Sequence, residues 1–323
     1  MKNLAIIIPE NAVLASITDP HYMFSAVNQL LFISNKKPAF KITLVGFKKK
    51  VNLNNGLFTV NAQKNIDEIK KTDLIIIPAI SGDFNETISL NQKYIDWIKK
   101  LYQNGAEVAS LCVGSFLLAS TGLLNGLKSS THWMYVEKFR KMFPDVILED
   151  DKIITDEKRI YTSGGASSYW NLLLYLVEKF TDRETAILAS KYFELDINRV
   201  SQSPFTIFRG QKEHNDDVIK NVQEYIEKNY DDKLSVSELA DLFNLGRRTF
   251  ERRFKQATNN TIIQYIQRVK IEAAKSKLEL GNKTVSEVMF EVGYSDIKSY
   301  REVFKRITKL TPVEYRNKYS KSA

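Results

Sequence analysis

The chain has 323 residues, 43% of them apolar and 26% charged, with a formal net charge of +9. That length and composition suit about two packed domains of a soluble globular protein, and no stretch approaches the ~20 apolar residues of a membrane span. The single cysteine, Cys112, excludes an internal disulfide, and the apolar run after the start stops at Pro9 and Glu10, short of a secretory core, so a cytoplasmic location is expected.

In chain order, short branched runs at Leu4–Ile8, Lys41–Val45, Leu74–Ile77 and Val108–Leu111 read as strands. Helical patterns separate and follow them: Tyr22–Ser34, Gln92–Asn104, Ser115–Ser120, Trp133–Met142, Ser168–Phe180 and Arg183–Tyr192. The unbroken apolar run "DLIIIPAI" fits a parallel sheet covered on both faces. Residues 146–161 read as a meander with polar turns. An α/β domain over residues 1–192 is expected, then a linker over 193–216, where periodicity is lost. Beyond it strands vanish. Val218–Asn229, Val236–Phe243, Arg247–Ala257, Ile262–Leu280, Val285–Glu291, Ile297–Ile307 and Pro312–Tyr319 read as helices of an all-α domain, 217–323. Thr311 before Pro312, with Glu314 three residues on, is a helix-start signal.

Charge is unevenly spread. Residues 1–215 carry 26 basic and 22 acidic side chains, 216–246 carry 3 and 8, and 247–323 carry 18 and 8. The positive excess begins within "LSVSELADLFNLGRRTFERRFKQA", Leu234–Ala257. Phe250 and Phe254 stand four apart and share a helix face, turned to a core with Leu239, Leu242 and Leu245. Arg247, Arg248, Glu251, Arg252 and Lys255 fall on the other faces. The turn at 244–246 hands a first short helix to a second, the plan of a helix-turn-helix. The pattern repeats: Glu238 aligns with Glu287, Phe250 with Tyr300 and Phe254 with Phe304. The second copy exposes Lys298, Ser299, Glu302, Lys305 and Arg306. A helix of ~19 residues, ~28 Å long, joins the copies, close to the ~34 Å between successive major-groove faces of a duplex. Two cationic helices so spaced point to double-stranded DNA as partner.

Residues 216–320 resemble the AraC-type DNA-binding domain, most specifically in "GYSDIKSYREVFKRITKLTPVEYR". Gly246 stands where that family usually has a serine cap, and Asn259 and Lys309 where glycines usually end the recognition helices. The resemblance implies base contacts from Arg248, Glu251, Arg252, Lys298, Ser299 and Glu302.

In the first domain "EVASLCVGSFLLASTGLLNG" puts Cys112 after a strand and before a helix, an elbow at which a helix dipole lowers a thiol pKa. His132 lies 20 residues on and could approach it. "TSGGASSYW" is a Gly-rich entry to a helix, a candidate cradle for a small anion. Against these stand the buried structural cysteine and the satisfied structural histidine. Residues 4–190 resemble the PfpI/class I glutamine amidotransferase-like fold, a flavodoxin-like sandwich. "LCVGSFLLASTGLLNGLKSSTHW", "YTSGGASSYWNLLLYLVEKF" and "RVSQSPF" at 199–205 resemble the variant in GlxA-type transcription regulators. In hydrolytic relatives a His follows the nucleophile; Val113 stands there, and neither Glu10 nor Asp19 sits in a clear acid motif. The resemblance therefore implies a sensor rather than an enzyme: a small-molecule pocket lined by Cys112, Val113, His132, Ser163, Gly164 and Gly165, without metal or cofactor, in a homodimer. The alternatives are a cysteine hydrolase or glyoxalase-like lyase fused to a DNA-binding domain, and redox sensing by Cys112 through an intermolecular disulfide or a sulfenate.

Overall fold

A computed structural model describes residues 1–197 and 201–320. Arg199 and Val200 of the "RVSQSPF" motif lie outside the described residues. The chain divides into two compact units, residues 1–202 and the remainder from Ser203. The expected connecting segment, 193–216, is thus shared between them.

The first unit is built on a seven-stranded sheet in the order Ile154–Glu157, Ile160–Ser163, Glu107–Ser110, Leu74–Ile77, Lys2–Ile7, Phe40–Gly46, Lys64–Asn65. All neighbours are parallel except the edge pair Ile154–Glu157 and Ile160–Ser163. Leu74–Ile77 is buried at every residue, as a strand covered on both faces must be. Helices Ala15–Ile33, Tyr169–Phe180 and Arg183–Tyr192 pack against one another. The first of these begins seven residues before the expected Tyr22. The helix start carries no side-chain cap, and Pro20, its sixth residue, lies past the first turn, where it offers no N–H to the Ser16 carbonyl. The polar hairpin Lys50–Leu53/Phe58–Asn61 and the helix Phe84–Leu90 carried no sequence signal strong enough to be read.

The second unit is all helical: Asp217–Lys228, Val236–Leu242, Arg247–Thr258, Ile262–Leu280, Val285–Glu291, Ile297–Thr308 and Pro312–Tyr319. It holds two small cores. One gathers Phe250, Phe254, Leu239 and Tyr265; the other gathers Tyr300, Phe304, Val288 and Tyr315. The internal repeat reaches ring geometry. Phe254 meets Tyr265 edge-on at 5.3 Å, and 50 positions on Phe304 meets Tyr315 the same way at 5.5 Å. Leu242 departs from expectation. It is 53% exposed rather than in the core, because the short helix ends there and turns Leu239 and Ala240 inward instead. Ahead of the first helix, Phe208 stacks edge-on against Tyr265, its N–H donates to Glu272, and the Lys275 ammonium donates to the Thr206 carbonyl.

Each half makes its inter-helix turn through a left-handed residue, Asn244 (φ 53°) and the aligned Gly293 (φ 72°). At Gly293 the space is also closed. A Cβ there would stand 2.1 Å from the Asp231 carbonyl oxygen and 2.5 Å from Lys270 Nζ. Gly293→Ala is therefore expected to destabilise the chain by about 1–3 kcal/mol, read as a lower urea midpoint. Gly246→Ser, at an N-cap with extended backbone and nothing near a new Cβ, should stabilise by a few tenths, roughly 0.3 kcal/mol.

Candidate nucleic-acid interface and sensor site

The first recognition helix, Arg247–Thr258, turns Phe250 and Phe254 into the core. Arg247, Arg248, Glu251, Arg252 and Lys255 are all exposed. Arg247 pairs with Glu251 one turn on at 3.2 Å, and Lys255 caps the helix end by donating to the Asn259 carbonyl. Arg248 and Arg252 make no ion pair among the described residues, so their guanidinium forks are open to an incoming anion or base edge. The fourth arginine of the run is used differently. Arg253 donates from Nε and one terminal nitrogen to both Asp216 oxygens, at 2.9 and 2.7 Å. That fork holds the Asp216 carboxyl below its usual pKa, helped by the Ile219 N–H that the same carboxylate caps. Arginine count alone does not separate these roles; position relative to Phe250 and Phe254 does.

The second recognition helix, Ile297–Thr308, exposes Lys298, Ser299, Glu302, Lys305 and Arg306. Asp296 caps it, accepting from Ser299 N–H at 2.6 Å, where the first helix has the side-chain-free Gly246. Arg306 donates to Gln267 on the long helix, which directs that guanidinium along the surface. Both helices end on a left-handed residue, Asn259 (φ 55°) and Lys309 (φ 62°), so the positions where glycine is usual keep the glycine conformation.

In the first unit Cys112, Val113, Ser163, Gly164 and Gly165, five of the six sequence-derived residues, lie at the carboxyl ends of two neighbouring parallel strands, where open α/β sheets bind ligands. Cys112 follows Glu107–Ser110, and Ser163–Gly164–Gly165 follow the adjacent strand. Cys112 N–H donates to Ser163 Oγ at 3.1 Å. Cys112 takes a left-handed conformation, φ 53°, the strained elbow of a displayed nucleophile. Gly114 allows that elbow to close, since a Cβ there would stand 2.5 Å from the Pro78 carbonyl oxygen.

The electrostatics run the other way. Cys112 is 6% exposed, and burial pushes its thiol up to about 12. The expected lowering by a helix dipole fails because the elbow leads into a three-residue 3-10 turn and a five-residue helix. A terminus that short contributes at most about 1 kcal/mol, while desolvation moves a pKa by up to about 3–5 units. His132 does not reach the thiol by a hydrogen bond. Its Nδ1 accepts from Met134 N–H at 3.1 Å, and burial lowers its pKa so that it stays neutral at pH 7. The two acids considered are also committed: Asp19 accepts from Tyr169 OH at 2.6 Å, and Glu10 pairs with Lys48. The Gly-rich turn does not present free N–H groups to an anion. Gly164 N–H donates to the Ile153 carbonyl and Gly165 N–H to the Gln202 side chain, a partner the sequence did not reveal. Among the described residues no group of three or more His, Cys, Asp or Glu is placed to hold a metal, and no helix is long and apolar enough to cross a membrane.

Comparison with known proteins agrees with this architecture. Residues 21–179 match the DJ-1/PfpI family and residues 239–318 a helix-turn-helix domain family. The HTH-type transcriptional regulator CdhR of Pseudomonas aeruginosa is 25% identical over 256 residues, 77% of this chain and 74% of that protein. The HTH-type transcriptional regulator ArgR of the same organism is 26% identical over 68% of this chain and 67% of its own length. The first unit shares its fold with a ThiJ/PfpI family protein from Pseudomonas syringae, at a TM-score of 0.51 and 18% identity over 61% of this chain and 76% of that one. A Vibrio parahaemolyticus protein gives 0.53 and 21% over 59% and 98%. Fold and matches together define a flavodoxin-like α/β domain of the DJ-1/PfpI type followed by a double helix-turn-helix domain. That is the domain order which the resemblance to GlxA-type regulators implies.

The buried thiol has a direct readout. At pH 7–8 Cys112 should alkylate with iodoacetamide at least about ten-fold more slowly than free cysteine, whose thiol ionises near 8.5, and accelerate only toward strongly alkaline pH.

Proposed function

We propose that this protein is a sequence-specific DNA-binding regulator of transcription whose α/β domain senses a small molecule and does no catalysis. The observation that carries the DNA-binding half is the separation of faces on both recognition helices. Paired aromatics hold each helix from behind, and the cationic side chains in front are exposed. Arg248, Arg252, Lys298 and Lys305 meet bases and phosphates of double-stranded DNA, and Glu251, Ser299 and Glu302 complete the reading face. Two such helices on one chain suit two successive major-groove segments.

The sensing half is supported by Cys112, Val113, Ser163, Gly164 and Gly165 lying at the ends of two adjacent strands, with His132 assigned to the same pocket by the family resemblance, while the groups needed for nucleophilic chemistry are spent elsewhere. A hydrolase would need a thiolate beside a free base; burial opposes the first, and the Met134 contact of His132 takes one ring nitrogen from the second. The α/β domain also carries the homodimer contact, which leaves both recognition helices of each copy free for DNA.

Genomic fragment selection followed by gel retardation tests the reading. If Arg252 reads a base, Arg252→Ala should lose about 1–3 kcal/mol at one base position and little elsewhere. Lys305→Ala should weaken all sequences alike and lower the salt slope by about one. No retardation above non-specific binding, at moderate salt and with effectors supplied, would defeat the proposal.

A further inference from the structure

The Gly164–Gly165 turn is filled by the chain itself. Gln202, 1% exposed, places its carboxamide there. Oε1 accepts from Gly165 N–H at 3.0 Å, and Nε2 donates to the carbonyls of Asp150 (2.9 Å), Thr131 (3.0 Å) and Lys152 (3.3 Å). Glycine at 164 is what makes room: a Cβ there would stand 2.8 Å from Gln202 Cδ and Oε1. Beside the turn, Ser168 Oγ is fully buried with no hydrogen-bond partner among the described residues, 3.8 Å from where a Gly165 Cβ would lie. A buried hydroxyl left so is costly unless something bonds to it, so it marks capacity the present occupant does not use.

The four contacts of the Gln202 amide named above are to backbone groups, one donor and three carbonyls that share its two N–H groups. That set selects for a planar primary carboxamide, which accepts through one oxygen and donates through one NH₂. A carboxylate would turn an anionic oxygen toward three carbonyls. An ammonium would leave Gly165 N–H unpaired.

We propose that this turn is a carboxamide-binding site, occupied in cis by Gln202, and that a soluble primary carboxamide takes the same place when Gln202 leaves, with Ser168 Oγ as an added contact. The inference rests on the sensor reading of the first domain and gives it a ligand chemistry. It also gives a route for the signal. Gln202 is the last residue of the first unit and Ser203 the first of the second, so occupancy of the turn decides whether the chain is held at that junction. A side chain tethered in this way competes at millimolar effective concentration or more, so the soluble ligand needs contacts the glutamine lacks.

Hydrogen exchange at the Gly165 amide in the full-length protein tests this. In Gln202→Ala that amide should exchange about ten-fold faster or more, as expected for loss of a buried hydrogen bond. Propanamide should restore its protection and raise Tm, whereas N,N-dimethylpropanamide and propanoate should do neither. Gly164→Ala keeps Gln202 but fills its place. Its Gly165 amide should also exchange faster, and propanamide should not restore it, which keeps a test should Gln202→Ala fail to fold. Protection of Gly165 unchanged in either variant, or equal effects of the three probes on Gln202→Ala, would overturn the site. None of these readouts involves DNA. A failed carboxamide test alongside effector-dependent retardation of the unaltered chain sinks this inference alone, and loss of specific retardation sinks the regulator reading instead.

Discussion

Everything in the helical unit depends on one shared element, the long helix Ile262–Leu280. Its first half gives Ile262, Tyr265 and Ile266 to one core and its second half gives Ile271, Ala274 and Leu278 to the other. Neither core is large enough to be stable alone, so each helix-turn-helix is held by a helix whose other end is buried in its twin. Lys270 sits where the two halves meet. Its buried ammonium donates to the Asp232 carbonyl ahead of the first motif and to the Gly293 carbonyl in the turn of the second, and it lies over the Tyr294 ring. Burial lowers its pKa, against the pull of Asp231 and Asp232. A cation fixed between two carbonyls from different halves makes the angle between the recognition helices a property of the fold.

Charge in this protein is sorted by whether it closes a contact. Arg253 and Lys275 are spent on carboxylates and carbonyls within the helical unit, whereas Arg248 and Arg252 carry theirs outward. The same economy governs the α/β domain, where Asp19, Glu10 and His132 all serve structural partners. The elbow around Cys112 keeps the backbone strain of a nucleophile site, while burial there opposes the thiolate that would use it.

The helical unit was largely legible in the sequence because its signals are local. Ser235–Glu238, Thr261–Gln264, Thr284–Glu287 and Thr311–Glu314 are reciprocal capping boxes, and the paired aromatics set the buried face. Leu242 was misread because periodicity does not say where a short helix stops serving the core. In the α/β domain the buried strands were legible from their branched apolar runs, and the start of the helix at Ala15 has no side-chain cap to announce it. Gln202 was beyond reach. The partners of its carboxamide described above belong to residues 131, 150, 152 and 165, main-chain atoms that no side-chain pattern can announce.

The four capping boxes bear on how such a protein changes over time. Each sets the start of a helix other than the two recognition helices, and the aromatic pairs anchor the recognition helices from behind. Outward residues such as Arg248, Arg252 or Lys298 can then be replaced without disturbing the frame that presents them. Such a scaffold can be retargeted to a new operator by a handful of surface substitutions, and its binding preference can drift in evolution while its architecture stays put.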